Sequence, residues 1–190
     1  IELAKNGCKR FHLLARDLKR NQELITMLEL NYKAIVSEEL FDLLDENNSI
    51  PYVENFDLYL ITSGLIGDQF LASKNIYELN KITRINYTGI LRWLIAITTE
   101  ERLNRKSRLW ILSSVAGDIG KPSNYSYGAA KSALTIFAQG LYLKSRKKLF
   151  SIRIFKAGYV LTRMTDINAP RLLCVKPSII AKIILRNPDR

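Results

Sequence analysis

The chain has 190 residues, of which 47% are hydrophobic and 25% are charged, so its size and composition are typical of one globular domain over residues 1–190. Its formal net charge is +11, but apart from a cluster at Lys144 to Lys148 the basic residues are scattered, so no nucleic-acid partner is expected. No apolar run reaches the ~20 residues that span a bilayer, which predicts a cytoplasmic protein without a transmembrane segment.

The two cysteines and the single histidine indicate no metal site. Cys8 and Cys174 are far apart and have no histidine pair beside them, so reduced, buried thiols are expected rather than zinc ligands or a disulfide. His12 lies inside a predicted strand. Ser/His/Asp catalysis and histidine-ligated metals are therefore poor hypotheses.

The first elements in chain order are a helix, a strand and a second helix. IELAKN before Gly7 is typical of a helix that ends at a glycine C-cap. Residues 10–15 predict a strand, and Asp17 is placed to cap a helix over 18–30. Residues 34–41 are ambiguous, because AIV suits a strand and SEEL does not.

The middle of the chain predicts a strand followed by a long helix. Pro51 indicates a short helix or turn over 49–54, and residues 57–62 predict the next strand. Over 75–105 the apolar residues recur with a period close to 3.6, which predicts helix. Asn86 lies in this stretch, where an asparagine is usually solvated or locally bonded.

The stretch 109–131 contains the residues best suited to chemistry. Residues 109–112 predict a buried strand that ends at small polar residues, with Ser114 at its tip. Beyond a loop rich in Gly and Pro, Tyr127 and Lys131 lie four residues apart on one face of a helix. An ammonium beside a phenol favours the phenolate and lowers its pKa from about 10. A half-buried tyrosine beside a solvated lysine is the alternative.

The C-terminal third predicts a helix, a strand and a last helix. Asn124 and Ser126 are candidate caps for the helix that carries Tyr127. Residues 150–155 predict a strand, and Pro177 begins a helix that runs to about residue 185. The alternation of strands and helices along the chain predicts an α/β fold, with a doubly wound and mostly parallel sheet.

These residues resemble the signature of the short-chain dehydrogenase/reductase family. Ser114 precedes Tyr127 by 127 − 114 = 13 positions, and the flanks SSVAG and NYSYGAAKSA fit the family's Ser and Tyr-x-x-x-Lys motif. Asn86, in INYTGIL, matches the asparagine of the family's catalytic tetrad. The resemblance covers nearly the whole chain and implies a Rossmann-like NAD(P)-binding domain. The first strand with its Gly-rich loop and the last strand are not found, so the domain is expected to be truncated at both ends.

The resemblance implies roles for the four matched side chains. Hydride passes between nicotinamide C4 and a carbonyl carbon, and Tyr127 gives its proton to the oxygen during reduction. Lys131 lowers the Tyr127 pKa and holds the nicotinamide ribose, so both residues also belong to the cofactor site. Ser114 hydrogen-bonds the substrate oxygen, and Asn86 supports a water that relays protons to Lys131. The expected partner is a small-molecule carbonyl or alcohol.

The resemblance also implies contacts with the adenosine half of a cofactor. Arg16 follows the family's second strand, where an arginine accommodates the 2′-phosphate, so NADP(H) is favoured over NAD(H). A surface arginine beside a helix start is an equal alternative. Asp42 is matched with the residue that contacts the adenine edge.

Four further residues are matched with the nicotinamide and pyrophosphate side of a cofactor. Gly64 is the residue retained from the family's Asn-Asn-Ala-Gly segment, where this chain has Ile-Thr-Ser-Gly. Gly158, Val160 and Thr162 fit the Pro-Gly-x-Val-x-Thr segment. Ala157 replaces its proline.

A narrower resemblance within the family implies a substrate class, and two alternative functions are also considered. GLIGDQ, INYTGIL and SSVAG look most similar to reductases of decaprenylphosphoryl 2-keto-erythropentose, which implies a keto-sugar substrate. One alternative is a catalytically silent binding module whose basic surface contacts nucleic acid or an anionic membrane. Another is a nucleotide-sugar epimerase or dehydratase, less favoured because the C-terminal portion is short. The family resemblance further implies a homo-oligomer formed through the helices at 75–105 and 124–147.

Overall fold

The computed structural model describes residues 1–47, 49–51, 55–99, 103, 106–145, 150–162, 164–165 and 171–186. The chain divides into two compact units, Ile1–Pro51 with Val160–Arg190 and Tyr52–Tyr159. Every helix in the described ranges is too short or too polar to cross a bilayer. The single domain over residues 1–190 stays a prediction.

The first unit contains a pair of parallel strands and three α-helices in its described residues. The strands pair in register from Arg10 opposite Ile35 to Ala15 opposite Leu40. Leu28 and Ala34 are buried in its core, with Phe11 and Val36 packed against them. The elements are α1 (Glu2–Lys5), β1 (Arg10–Ala15), α2 (Gln22–Tyr32), β2 (Ile35–Leu40) and, near the C-terminus, an α-helix over Pro177–Arg186.

The helix end at Gly7 is as predicted. Gly7 has φ +91, a left-handed conformation that favours glycine. Its N–H donates to Ala4 and the N–H of Cys8 donates to Leu3, the bonds of a Schellman motif. Cys8 and Cys174 are half-buried, rather than buried as expected.

The predicted cap at Asp17 is wrong. A 3₁₀ turn over Leu18–Asn21 precedes α2, and Asp17 makes no side-chain cap bond to it. The carboxylate instead pairs with Arg20 Nε at 2.9 Å, so a cation three residues ahead replaces the backbone N–H as its partner. The helix predicted over 18–30 therefore begins at Gln22.

The ambiguous segment 34–41 forms strand β2. Its two glutamates are compatible with a strand because β2 pairs with β1 and every residue of β2 is at least partly exposed. Glu38 accepts hydrogen bonds from the side-chain amides of Asn21 and Gln22. The Glu38 carboxylate is therefore hydrogen-bonded by side chains at the start of α2.

The second unit is built on a three-stranded parallel sheet in the order β3-β4-β5. Parallel strands alternate with helices, and this confirms the predicted α/β, Rossmann-like fold. The elements in chain order are β3 (Leu58–Ile61), α3 (Gln69–Ala72), α4 (Ile76–Thr83), α5 (Gly89–Thr99), β4 (Arg108–Ser114), α6 (Tyr125–Ser145) and β5 (Ser151–Ala157). The C-terminal helix of the first unit is then α7 (Pro177–Arg186).

The central strand β4 carries the core of the second unit. Leu109, Trp110 and Ile111 are all buried. A strand that lies between two others and is covered on both faces has no solvent side, which explains its unbroken apolar run. Leu94 of α5 and Leu134 of α6 are also fully buried.

The long helix predicted over 75–105 is divided in two. A π-helical turn over Arg84–Thr88 joins α4 to α5 and contains Asn86. The Asn86 side chain donates to the carbonyl of Ile82, the acceptor that the backbone N–H of residue 86 would use in an α-helix. Competition for that carbonyl accompanies the local change of helix type.

Some predicted features lie partly outside the described residues. The turn over 49–54 includes residues 52–54, the basic cluster at 144–148 includes residues 146–148, and the end of the 75–105 helix includes residues 100–102 and 104–105. In the first unit, Val160 forms an isolated parallel bridge with Val175, two residues before α7 begins at Pro177 as predicted.

Candidate active site

The carboxyl ends of the three parallel strands of the second unit bring polar groups to one edge of the sheet. Ser114 ends β4 and faces the end of β5, where its Oγ donates to the carbonyl of Ala157 at 3.4 Å. The same oxygen accepts from the N–H of Ala116 at 3.1 Å and caps a 3₁₀ turn over Val115–Gly117. Open parallel sheets place their ligand sites at this edge.

Two glycines allow that 3₁₀ turn to pack directly on α6. A Cβ on Gly128 would lie 2.5 Å from the carbonyl oxygen of Ala116, and a Cβ on Gly117 would lie 2.8 Å from the N of Ser132. Side chains at either position would push the turn and the helix apart. The strand tip with Ser114 is thus held against the start of α6, where Tyr127 lies.

Gly128→Ala is expected to destabilise the protein by about 1–3 kcal/mol, because the added methyl meets backbone that cannot rotate away. Gly140→Ala is the matched control in the same helix. A Cβ there meets nothing within 4 Å, so the free energy of unfolding should rise by about 0.5–1 kcal/mol. Urea denaturation measures both. Equal effects at the two positions would contradict the close approach at Gly128.

Tyr127 is 8% exposed and lies in the first turn of α6. Burial raises the pKa of its phenol above the usual range, and a hydrogen bond with the Ser114 side chain acts in the opposite direction. Ser114 and Tyr127 are thus brought together as predicted from their spacing. The predicted lowering of the Tyr127 pKa by Lys131 is wrong for this structure, since burial outweighs any effect of the ammonium.

Lys131 is 3% exposed, which excludes the alternative of a solvated lysine. Its Nζ lies 5.9 Å from the Tyr127 ring centroid and donates to the carbonyls of Ser63 and Leu112, each at 3.3 Å. Burial lowers the pKa of this ammonium to about 8. An ammonium has three N–H donors, so among the described residues one donor is left for a ligand hydroxyl.

Sequence reasoning missed two residues that fix the backbone of Lys131. The Thr135 hydroxyl donates to the Lys131 carbonyl at 2.8 Å, and Ser113 Oγ lies 3.2 Å from that carbonyl and 2.7 Å from Thr135 Oγ1. Both side chains are buried. A hydroxyl four residues after Lys131, beside a strand that ends in two serines, is the signal that could have identified them.

Asn86 is fully buried, so it is not the solvated residue that helix statistics favour. Its Nδ2 donates to the carbonyl of Leu65 at 2.6 Å, and its Oδ1 accepts from the N–H of Leu65 at 3.1 Å. The amide therefore holds both polar backbone groups of one residue in the loop after β3. The role of Asn86 in supporting a water stays a prediction.

Gly64 lies against both Asn86 and Lys131. A Cβ there would be 3.3 Å from Asn86 Oδ1 and 3.5 Å from Lys131 Nζ. The structure thus brings Asn86, Ser114, Tyr127 and Lys131 to one edge of the second unit, with Gly64 beside two of them. Gly158 follows β5 at the same sheet edge, in open space.

The other residues matched with a cofactor lie in the first unit. Arg16 is exposed directly after β1. Asp42 accepts a hydrogen bond from the N–H of Leu44 at 2.9 Å and so closes a turn after β2. Val160 bridges to Val175, and Thr162 Oγ1 accepts from the N–H of Met164 at 3.2 Å. Their cofactor contacts stay predictions.

The predicted caps of α6 behave differently from expectation. Asn124 Oδ1 is buried and has no hydrogen-bond partner among the described residues. Ser126 lies inside the first turn rather than before it, and its N–H donates to the side chain of Gln69. A side chain from α3 therefore takes the capping role.

The chain belongs to the short-chain dehydrogenase family, because the family model described as short chain dehydrogenase matches residues 2–171. Among its relatives, an uncharacterized oxidoreductase of Mycobacterium tuberculosis is 30% identical over 127 residues, which are 67% of this chain and 51% of that protein. The chain spans about half the length of the curated relatives that it matches first.

Solved structures share the fold over almost the whole chain. A short-chain dehydrogenase from Sphingobium yanoikuyae in complex with NADPH has a TM-score of 0.83 at 16% identity. The match covers 98% of this chain and 78% of the chain of that structure. An alcohol dehydrogenase from Thermococcus sibiricus complexed with 5-hydroxy-NADP has a TM-score of 0.81 at 18% identity, with coverages of 99% and 83%.

Proposed function

We propose that this chain carries the catalytic residues of an NADP(H)-dependent oxidoreductase that interconverts a carbonyl and a hydroxyl group. The observation that carries the proposal is the buried phenol of Tyr127, hydrogen-bonded to Ser114 and one turn before the buried ammonium of Lys131. Family membership supports the same reaction class. The nicotinamide, when bound, supplies or accepts the hydride.

In the direction of reduction, Tyr127 is the proton donor to the substrate oxygen. Its raised pKa keeps the phenol protonated at neutral pH, which is the form that a general acid needs. Ser114 has a hydroxyl that can share the same oxygen, because it already approaches the phenol. The two groups would fix the substrate carbonyl between them.

Lys131 contributes position and charge. With a pKa of about 8 it is largely protonated at pH 7, and its two carbonyl bonds fix the direction of the remaining donor. That donor would hold a ribose hydroxyl of the cofactor. Gly64, whose missing side chain leaves the space beside Nζ open, lets a ligand approach.

The preference for NADP(H) over NAD(H) rests on Arg16. Its position after β1 suits a 2′-phosphate, and the two solved structures named above hold NADPH and an NADP derivative. Asp42, Val160 and Thr162 are proposed to complete the cofactor contacts, as the family resemblance implies.

Arg16→Ala is expected to raise the KM for NADPH about 10- to 100-fold and to leave the KM for NADH unchanged, since it removes a charge-assisted hydrogen bond to the phosphate. Initial rates with each cofactor measure this. Lys182→Ala, which removes an exposed cation of the same unit on α7, should change neither value. Equal losses with NADPH and NADH would contradict a role in phosphate recognition.

We further propose a keto-sugar as the substrate class, from the resemblance of GLIGDQ, INYTGIL and SSVAG. Assembly as a homo-oligomer through α4, α5 and α6 is proposed on the same resemblance. The silent binding module is not proposed, because the relatives named above are oxidoreductases and the four polar residues converge at one sheet edge.

A direct assay tests the proposal. The complete protein is incubated with NADPH or NADH and a panel of keto-sugars, simple ketones and aldehydes, and absorbance at the nicotinamide band is followed. We expect carbonyl-dependent oxidation of NADPH, faster than that of NADH. No oxidation of either cofactor with any carbonyl compound would overturn the proposed function.

A further inference from the structure

The side chain of Gln69 bonds the backbone N–H and the hydroxyl of Ser126. Gln69 Nε2 donates to Ser126 Oγ at 3.0 Å, and Gln69 Oε1 accepts from the Ser126 N–H at 2.7 Å. Ser126 is buried and directly precedes Tyr127 in α6. The first N–H groups of a helix have no partner within it, so this amide stabilises the turn that carries the phenol.

Gln69 begins α3, which follows the loop after β3. That loop is held at two other points by buried side chains. Asn86 bonds both backbone groups of Leu65, and Glu78 Oε1 accepts from the N–H of Asp68 at 3.2 Å. Gln69 directly follows this loop and connects it to α6 through Ser126.

A tight turn at Gly67 directs the chain so that the Gln69 side chain reaches α6. Gly67 has φ +70, and a Cβ there would overlap the Ile82 side chain. The same loop supplies the Ser63 carbonyl to Lys131 Nζ at 3.3 Å. One segment therefore contacts α6 twice, at the ammonium of Lys131 and beside the phenol of Tyr127.

We propose that Gln69 is a positioning residue for Tyr127. It acts through Ser126: the paired hydrogen bonds set the height and rotation of the first turn of α6, and with them the position of the phenol relative to Ser114. The inference rests on the proposed function for its catalytic consequence. Its structural part is the link between Gln69 and Ser126.

Gln69→Ala and Gln69→Glu distinguish the effect of the two hydrogen bonds from the effect of side-chain size. Alanine removes both hydrogen bonds. A carboxylate keeps both, because the Ser126 N–H still donates and the Ser126 hydroxyl can reverse to donate as well. Gln22→Ala is the matched control. Gln22 also begins a helix and its side-chain amide also bonds another element, but its partner is Glu38 in the first unit.

Gln69→Ala is expected to lower kcat about 10- to 100-fold, because displacing the phenol relative to the substrate costs rate without affecting cofactor binding. The KM for NADPH should stay within about twofold. Gln69→Glu should restore kcat to within about threefold of the wild type, and Gln22→Ala should leave kcat unchanged. A rise in KM with unchanged kcat would overturn the inference.

Amide hydrogen exchange supplies a readout that is independent of activity. In Gln69→Ala the amide of Ser126 should exchange at least tenfold faster, whereas Gln69→Glu and Gln22→Ala should leave it protected. Unchanged exchange in Gln69→Ala overturns the inference even if the enzyme is active. A wild type that oxidises no NADPH while exchange responds as expected overturns the proposed function, and with it the catalytic role of Gln69.

Discussion

Tyr127→Phe is expected to reduce carbonyl-dependent oxidation of NADPH by about 10²- to 10⁴-fold, the range that a general acid contributes. The substitution deletes one oxygen from a side chain that is already buried, so the ring still fills its place against Ser114 and Lys131. Cofactor affinity and the thermal midpoint should therefore stay close to the wild-type values. Steady-state rates, cofactor titration and circular dichroism measure the three quantities.

Tyr125→Phe is the matched control. Tyr125 begins the same helix but is 48% exposed, so the loss of its hydroxyl should leave kcat unchanged. Activity of Tyr127→Phe within about tenfold of the wild type would remove Tyr127 from the role of proton donor.

Much of this arrangement could be predicted because it depends on local periodicity. Four residues on an α-helix return to the same face, so the sequence places Tyr127 and Lys131 together without any tertiary information. A short apolar run that ends in two serines predicts the strand tip at Ser114, since chain direction alone puts that tip at the carboxyl edge of a parallel sheet.

The features that sequence reasoning missed depend on contacts between distant residues. Asn86 looks like an ordinary helical asparagine until the Leu65 backbone is beside it. Gln69 and Ser126 are 57 positions apart, and no spacing rule connects them. The pairing of Asp17 with Arg20, in contrast, is local, and it was missed because it depends on side-chain conformation, which propensities do not contain.

The sign of the Tyr127 pKa shift was missed for a related reason. The sequence shows which charge is near, but not how much solvent is removed. An ammonium four residues away argues for a lowered pKa, whereas burial of the phenol acts in the other direction and is larger here. The same burial lowers the pKa of Lys131, so the depth of α6 in the unit affects both groups.

Lys131→Met is expected to lower kcat at least 100-fold, because it removes a fixed positive donor from a water-poor site. Its effect on stability should depend on pH. Burial lowers the pKa of Lys131 from 10.5 to about 8 in the folded protein, so between these values the unfolded chain binds more protons and the wild type gains stability as pH rises.

The stability of the wild type relative to Lys131→Met should therefore increase by about 3 kcal/mol as pH rises from 8 to 10.5, and should be flat below pH 8. Urea unfolding of both proteins at each pH measures this difference, in which other titrating groups cancel. Lys144→Met, which removes an exposed lysine of the same helix, is the matched control for the loss of a positive charge. A wild type that loses stability relative to Lys131→Met over this range would mean that the ammonium is favoured by folding. Its carbonyl bonds to Ser63 and Leu112 would then outweigh the cost of burial.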